Sequence, residues 1–142
     1  MSLPEKKIKI LHIVDLSKTG GVEVMFMDFL SRIIVLRPDF EHAVFALRIN
    51  KAREKELLSL GVKVYSPKNN SYNLLRRLKV IRHIATEHYD IVHGQNYSGN
   101  LWAAIGTFFQ TKPVNLISHE HGGSWGAEGV HKILSQFWAR AS

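Results

Sequence analysis

The sequence predicts an α/β fold, a doubly wound parallel sheet with helices on both faces. Three observations carry that expectation. Short runs rich in Ile, Leu and Val alternate, strand then helix along the whole chain, with segments whose apolar residues recur at helical spacing. The apolar runs are nearly continuous, as in strands covered on both sides, rather than alternating as in a sheet with one wet face. The polar turns containing Gly or His fall after strands: Gly20-Gly21 after the first, His93-Gly94-Gln95-Asn96 after the fourth, and His119 to Gly123 after the fifth.

Residues 8–14 form the first strand, almost unbroken in Ile, Leu and Val. Val22, Met25, Phe26, Phe29, Leu30 and Ile33 then share one helical face. That helix must stop near Arg37, because Pro38 disfavours helical geometry in the residue before it. Residues 41–47 give a second strand, and 51–60 a short charged helix with Gly61 placed to cap its C-terminus. A third strand over 62–66 closes in the turn Pro67-Lys68-Asn69-Asn70. The long helix over 72–88 has Leu74, Leu78, Ile81 and Ala85 as its expected buried stripe, with Arg76, Lys79, Arg82 and His83 on another side. A short fourth strand spans 90–93, a helix 100–109, a fifth strand 114–118 and a final helix 130–141, the last apolar at Ile133, Leu134, Phe137 and Trp138. Strands and helices alternating at this spacing give a parallel, Rossmann-like sheet.

Composition bounds the function. A chain of 142 residues is one domain or part of a larger one, and 45% hydrophobic residues suffice for a core. The best apolar stretch is interrupted by Asp28, Ser31 and Arg32, so nothing approaches the roughly 20 residues that cross a bilayer. Lys6, Lys7 and Lys9 precede only a short strand, unlike a secretory signal. A cytoplasmic protein is expected. Zero cysteines remove thiol chemistry and cysteine-ligated metals. The net charge of +7 and pI near 9.8 raise anionic partners. Nucleic acid is not among those expected, since the chain has no zinc-finger spacing, no long Arg/Lys run and no aromatic pair in a basic strand.

Ligands of doubly wound sheets bind at the carboxyl ends of the strands, where the three polar loops converge. Glycines let backbone N–H groups approach an anion and permit positive φ, and a helix N-terminus presents free N–H groups. Gly20-Gly21 therefore reads as a seat for a phosphate or sugar, or else as a tight turn alone. Glu23 in the first helical turn favours the dipole by about 0.3–1 kcal/mol. His93 is either a satisfied core histidine or a cleft residue, and Asn96 joins it on the cleft side. The His119-Glu120-His121 spacing sends both histidines to one face of the strand end and Glu120 to the other. Both rings face the cleft, or one lies under the next helix. No carboxylate set accompanies them, so no metal centre is predicted. Trp125 either stacks on a sugar or folds back as packing. Arg76, Lys79 and Arg82 are a solvated helix face or, on the sharper reading, a surface for anionic lipid at about 1 kcal/mol per charge.

With these pieces in order, the chain resembles the N-terminal domain of a GT-B glycosyltransferase, in particular the retaining family 4. The resemblance rests on Lys9-Ile10-Leu11-His12-Ile13 with Gly20-Gly21-Val22-Glu23, on Asp90-Ile91-Val92-His93, and on Leu116-Ile117-Ser118-His119-Glu120-His121-Gly122. It implies two Rossmann-like domains facing a cleft, the N-terminal one holding the acceptor and the C-terminal one the nucleotide-sugar. It implies that Gly20 and Gly21 lie against the donor's diphosphate and sugar. His121, followed by Gly122, matches the histidine that contacts the transferred sugar, with His119 as the alternative phase. The family's further strands and donor domain do not follow, so residues 1–142 are expected to be an incomplete acceptor-side half. A Glu120 and Glu128 pair reproduces the donor domain's glutamate spacing in the wrong place and carries no weight.

The expected function is transfer of a sugar from a nucleotide-sugar, a substrate rather than a cofactor, to a polysaccharide, lipid-linked or related acceptor. The enzyme would then sit in the cytoplasm, peripherally at the inner face of the cell membrane. The fragment alone is expected to be inactive and to self-associate through Leu134, Phe137 and Trp138. The alternative is a non-catalytic flavodoxin-like domain for a phosphate-bearing ligand, or an interaction module. A receiver domain is excluded because Asp15 stands alone and the third strand ends in Ser66-Pro67; a dinucleotide site is excluded because the second strand leads to Arg48-Ile49-Asn50 with no acidic residue.

Overall fold

The computed structural model describes residues 7–66 and 74–121, the latter with 74–77 as backbone only. In chain order the elements are β1 (Ile8–Leu16), α1 (Gly21–Leu36), β2 (Phe40–Ile49), α2 (Lys51–Ser59), β3 (Lys63–Tyr65), α3 (Leu74–Thr86), β4 (Ile91–Gln95), α4 (Asn96–Phe108) and β5 (Asn115–His119). The expected helix over 130–141, the Pro67 to Asn70 turn and Trp125 lie outside the described residues.

The strands form one sheet in the order β3-β2-β1-β4-β5, and every pairing is parallel. The near-continuous apolar runs follow from burial on both faces. One face of β1 and β2, with Val14, Leu16, Val44, Ala46 and Ile49, packs on Phe26, Met27 and Leu30 of α1 and Leu57 of α2. The opposite face, with Leu11, Ile13, Phe45 and Val92, packs on Val80 and Ile84 of α3 and Trp102 and Ala103 of α4. This is the doubly wound Rossmann-like arrangement that the alternation predicts. The β1–β2 register shifts between Val14 and Asp15. Immediately beyond, the Arg48 guanidinium Nε donates to Asp15 at 2.8 Å and joins the two strand ends. Burial pushes the Asp15 carboxyl up, but hydrogen bonds from Arg48 and Ser17 outweigh it and hold the group below its ordinary value.

Helix ends follow local chemistry. Asn50 caps α2 by accepting from Arg53 N at 2.9 Å, and Gly61 takes the left-handed φ of +74° that a C-terminal cap requires. The turn into α4 departs from expectation. The helix starts at Asn96, not at residue 100, and Asn96 holds φ +57°, a left-handed conformation that asparagine tolerates better than most residues. The Asn/Gly-rich stretch from Asn96 to Asn100 reads as a loop in sequence but is a helix pressed onto β1, and a Cβ on Gly99 would collide with the Ile13 carbonyl oxygen.

Two helix faces also differ from the periodicity. In α1, Phe26, Met27 and Leu30 are buried while Met25 and Phe29 are 45% and 42% exposed. That helix rests on the β1–β2 half of the sheet, and Phe29 reaches only the edges of the His12 and His93 rings. In α3 Val80 and Ile84 are buried and the half-buried Ile81 packs against the same core as expected, but Leu78 and Ala85 are exposed, so the stripe lies off the expected one; the Leu74 side chain lies outside the described residues. The reason is α4, whose Gly106 opens room for the Ile84 side chain and draws that face inward. His83 is not part of a solvated basic stripe. It is half-buried, bonded to the Tyr89 hydroxyl at 2.8 Å and packed at a tilt against the Tyr65 ring, and burial lowers its pKa.

Candidate functional site

The strand order β3-β2-β1-β4-β5 reverses its sense between β1 and β4, so the connections leaving these two strands run to α1 and α4 on opposite faces of the sheet and leave a crevice beyond their carboxyl ends. The loop after β1, the turn after β4 and the end of β5 all reach that edge.

Gly20 caps α1 in extended conformation, φ −101°, and neither it nor Gly21 has a positive φ. The left-handed freedom offered by the double glycine is thus unused. What the glycines provide is access. A Cβ at Gly21 would meet nothing within 4 Å, whereas one at Gly20 would meet the Glu23 carboxylate. Glu23 folds back to accept from Gly20 N at 2.9 Å, which supplies the helix N-terminus with an internal anion.

From β4 and β5 come Gln95 and His121, joined by a 2.6 Å hydrogen bond between Gln95 Oε1 and His121 Nε2. Asn100 of α4 clamps the end of β5. Its Nδ2 donates to the His119 carbonyl at 3.3 Å and to Glu120 Oε2 at 3.2 Å, and its Oδ1 accepts from His119 N at 3.2 Å. The His119 and His121 rings lie 3.9 Å apart, so the H-x-H spacing brings them together on one side as expected. His119 is exposed and His121 half-buried.

Beneath this edge the sheet holds a line of histidines on its α1 face. His93 pairs directly with His12 across β1 and β4, and their Nδ1 atoms are 3.0 Å apart. His12 Nε2 in turn lies 3.0 Å from His42 Nδ1 on β2. All three rings are buried, with Phe26 and Phe29 of α1 edge-on to His12. Burial disfavours the imidazolium form, and neighbouring histidines add to it. Burial, then His93 and His42, push His12 well below its ordinary pKa, and burial lowers His42. Burial, then His119 and His121, bring His93 to about 4. His121 is lowered by burial and by His119, against a smaller opposing effect of Glu120. His12, His42, His93 and His121 are therefore held towards the neutral imidazole, which offers hydrogen bonds rather than charge.

Of the candidates from sequence, the structure brings His93, Asn96, His119 and His121 to the β4–β5 side of the crevice and Gly20 and Gly21 to its β1 side. His93 lies lowest and is a satisfied buried ring. Lys79 and Arg82 are exposed on α3, along a groove with Tyr65 and Thr86, away from these loops; the Arg76 side chain lies outside the described residues. Sequence reasoning missed His12, His42, Gln95 and Asn100. The signal was present: a histidine inside a strand buried on both faces needs a partner, and His12, His42 and His93 each stand in such a run. Among the described residues no three His, Asp or Glu side chains are arranged to hold a metal, and no helix is long and apolar enough to cross a membrane.

Among solved structures the chain is similar to the Anabaena protein HepE, whose crystal structure contains UDP and glucose. The TM-score is 0.58 at 21% identity, over 79% of this chain and 29% of that one. At this identity the likeness is one of fold, and this chain spans less than a third of the HepE chain. No curated protein matches the sequence. The model of Glycosyltransferase Family 4 matches residues 19–142, which takes in the glycine loop, the β4 turn and the histidine loop. The chain belongs to glycosyltransferase family 4.

Proposed function

We propose that this chain is the acceptor-side domain of an enzyme that transfers a sugar from a nucleotide-sugar to a glycan, lipid-linked or related acceptor. One observation carries the reading: in a family 4 chain, the glycine loop and His121 stand on opposite sides of the crevice at the β1–β4 switch point. A donor bound from a facing domain would lay its diphosphate against the open backbone at Gly21 and the first turn of α1, where N–H groups stabilise charge on the leaving group. His121 would touch the transferred sugar, with His119 stacked behind it and Asn96 beside it. His93 would support them from below. The exposed Lys79 and Arg82, with Arg76, would meet anionic headgroups when the acceptor is membrane-borne.

Gly21→Val in the full-length protein tests this reading, because the side chain enters open space and leaves the fold intact. Steady-state kinetics should show the donor KM raised about tenfold or more, which corresponds to about 1.4 kcal/mol, with the unfolding midpoint little changed. Unchanged donor kinetics in the folded variant would overturn the placement of the diphosphate.

A further inference from the structure

The first turns of α4 lie closer to the sheet than side chains would allow. A Cβ on Gly94, near the end of β4, would stand 2.7 Å from the Asn100 Cα and Oδ1, and one on Gly99 would collide with the Ile13 carbonyl oxygen. Both positions require glycine, and together they bring Asn100 down to the end of β5, where it is 7% exposed. Asparagine is a poor helix former, so its place inside α4 is not explained by the helix.

Its partners explain it. Asn100 Nδ2 donates to the His119 carbonyl at 3.3 Å and to Glu120 Oε2 at 3.2 Å, while Oδ1 accepts from His119 N at 3.2 Å. A backbone carbonyl only accepts and a backbone N–H only donates, so the amide has one possible orientation. One buried side chain thus holds both backbone groups of His119 and the carboxylate of Glu120, in the manner of an extra rung on the sheet. The strand end needs such a hold. Among the described residues β5 pairs with β4 alone, four of its five residues are exposed, and the pairing stops at His119. His121 stands two residues beyond that last rung, with its Nε2 2.6 Å from the Gln95 side chain.

We propose that Asn100 is a positioning residue: it fixes the path of the chain through His119 and Glu120 and thereby sets where the His121 ring stands in the crevice. Gly94 and Gly99 are the means by which Asn100 reaches that strand end. Glu120 belongs to this clamp and not to the cleft, in keeping with strand alternation. The consequence for turnover rests on the transferase reading. A ring held in place before the substrate arrives needs no ordering at the reacting centre, so releasing the clamp costs turnover more than donor affinity.

An NMR titration of histidine-labelled full-length protein reads the clamp without reference to turnover. Burial, then His119, holds the His121 imidazole below its ordinary value, against a smaller effect of Glu120. In Asn100→Ala the loop loosens and burial is lost, so His121 should titrate closer to about 6.5. His83, packed against Tyr65 and Tyr89, should keep its own lowered value. Steady-state kinetics of the same variant should show kcat reduced about tenfold or more, with donor KM within about threefold of the parent. An unchanged His121 titration in the folded variant overturns the proposal, and so does a His83 titration that moves with it, since that marks a general loosening. A shifted His121 with unchanged kcat upholds the clamp and contradicts the sugar contact at His121, so the two readings fail separately. If Asn100→Ala does not fold, Asn100→Ser decides by the same readouts, because serine fills more of the space but is too short to hold both backbone groups of His119.

Discussion

Asn96 opens α4 with φ +57°, a conformation that costs most L-residues about 1–2 kcal/mol and asparagine less. Replacing it by Ala should therefore lower stability by about 1 kcal/mol in urea unfolding, while Gly should be neutral or better. Equal losses for the two variants would show that the side chain, not the backbone, matters there. Glu23 gives a second check at this scale. Its carboxylate satisfies Gly20 N–H at the head of α1, so Glu23→Ala should cost about 0.5–1 kcal/mol in the same measurement. The places of Gly20, Gly21 and His121 at the ends of strands and the start of a helix were legible from the sequence, because apolar runs bound the loops that hold them. Gln95 and Asn100 were not, since one amide among many polar residues carries no mark until the fold shows which neighbours it must satisfy.

The elements were legible to within a few residues wherever burial alone dictates the pattern. β1 and β2 are of that kind, while the end of α1 was legible from the backbone restriction at Pro38. The stripe of α3 and the start of α4 were not, because one depends on how α3 meets α4 and the other on how closely α4 approaches β1. Gly106 sets the contact with α3 and Gly99 the approach of α4 to β1, and a lone glycine in sequence does not say what approaches it. Gly99→Ala should lower stability by about 1–3 kcal/mol through overpacking against the β1 carbonyl. A neutral result by chemical denaturation would mean that α4 moves freely on the sheet. The buried histidines predict a pH dependence shared by three strands. Above about 6.5, the ordinary imidazole pKa, these rings are neutral in both states. Below it the unfolded chain binds protons that the folded chain refuses, so stability falls as pH drops from about 6.5 towards the His93 value of about 4. The slope approaches about 1.4 kcal/mol per pH unit for each ring kept neutral. Urea midpoints compared at about pH 7.5 and about pH 5 test it; equal midpoints would mean the rings accept protons in place.

At the scale of the whole molecule, the sheet order sets the switch point between β1 and β4 and gathers three loops that are far apart in sequence. In the proposed division of labour the facing domain supplies most of the grip on the nucleotide, and this domain supplies groups that act on the sugar. The 142-residue chain alone should then bind nucleotide-sugars with Kd weaker than about 0.1 mM. Micromolar binding by calorimetry would contradict that division.

The central claim is that His121 acts on the transferred sugar, and the direct measurement is the kinetics of His121→Ala in the full-length enzyme. A contact that strengthens as positive charge develops on the anomeric carbon contributes more to the transition state than to the bound donor. The account predicts that kcat falls about tenfold or more, about 1.4 kcal/mol in the barrier, with donor Kd nearly unchanged and the fold preserved. His119→Ala should do less harm to turnover. An unchanged kcat in His121→Ala, or a loss confined to His119→Ala, would contradict it.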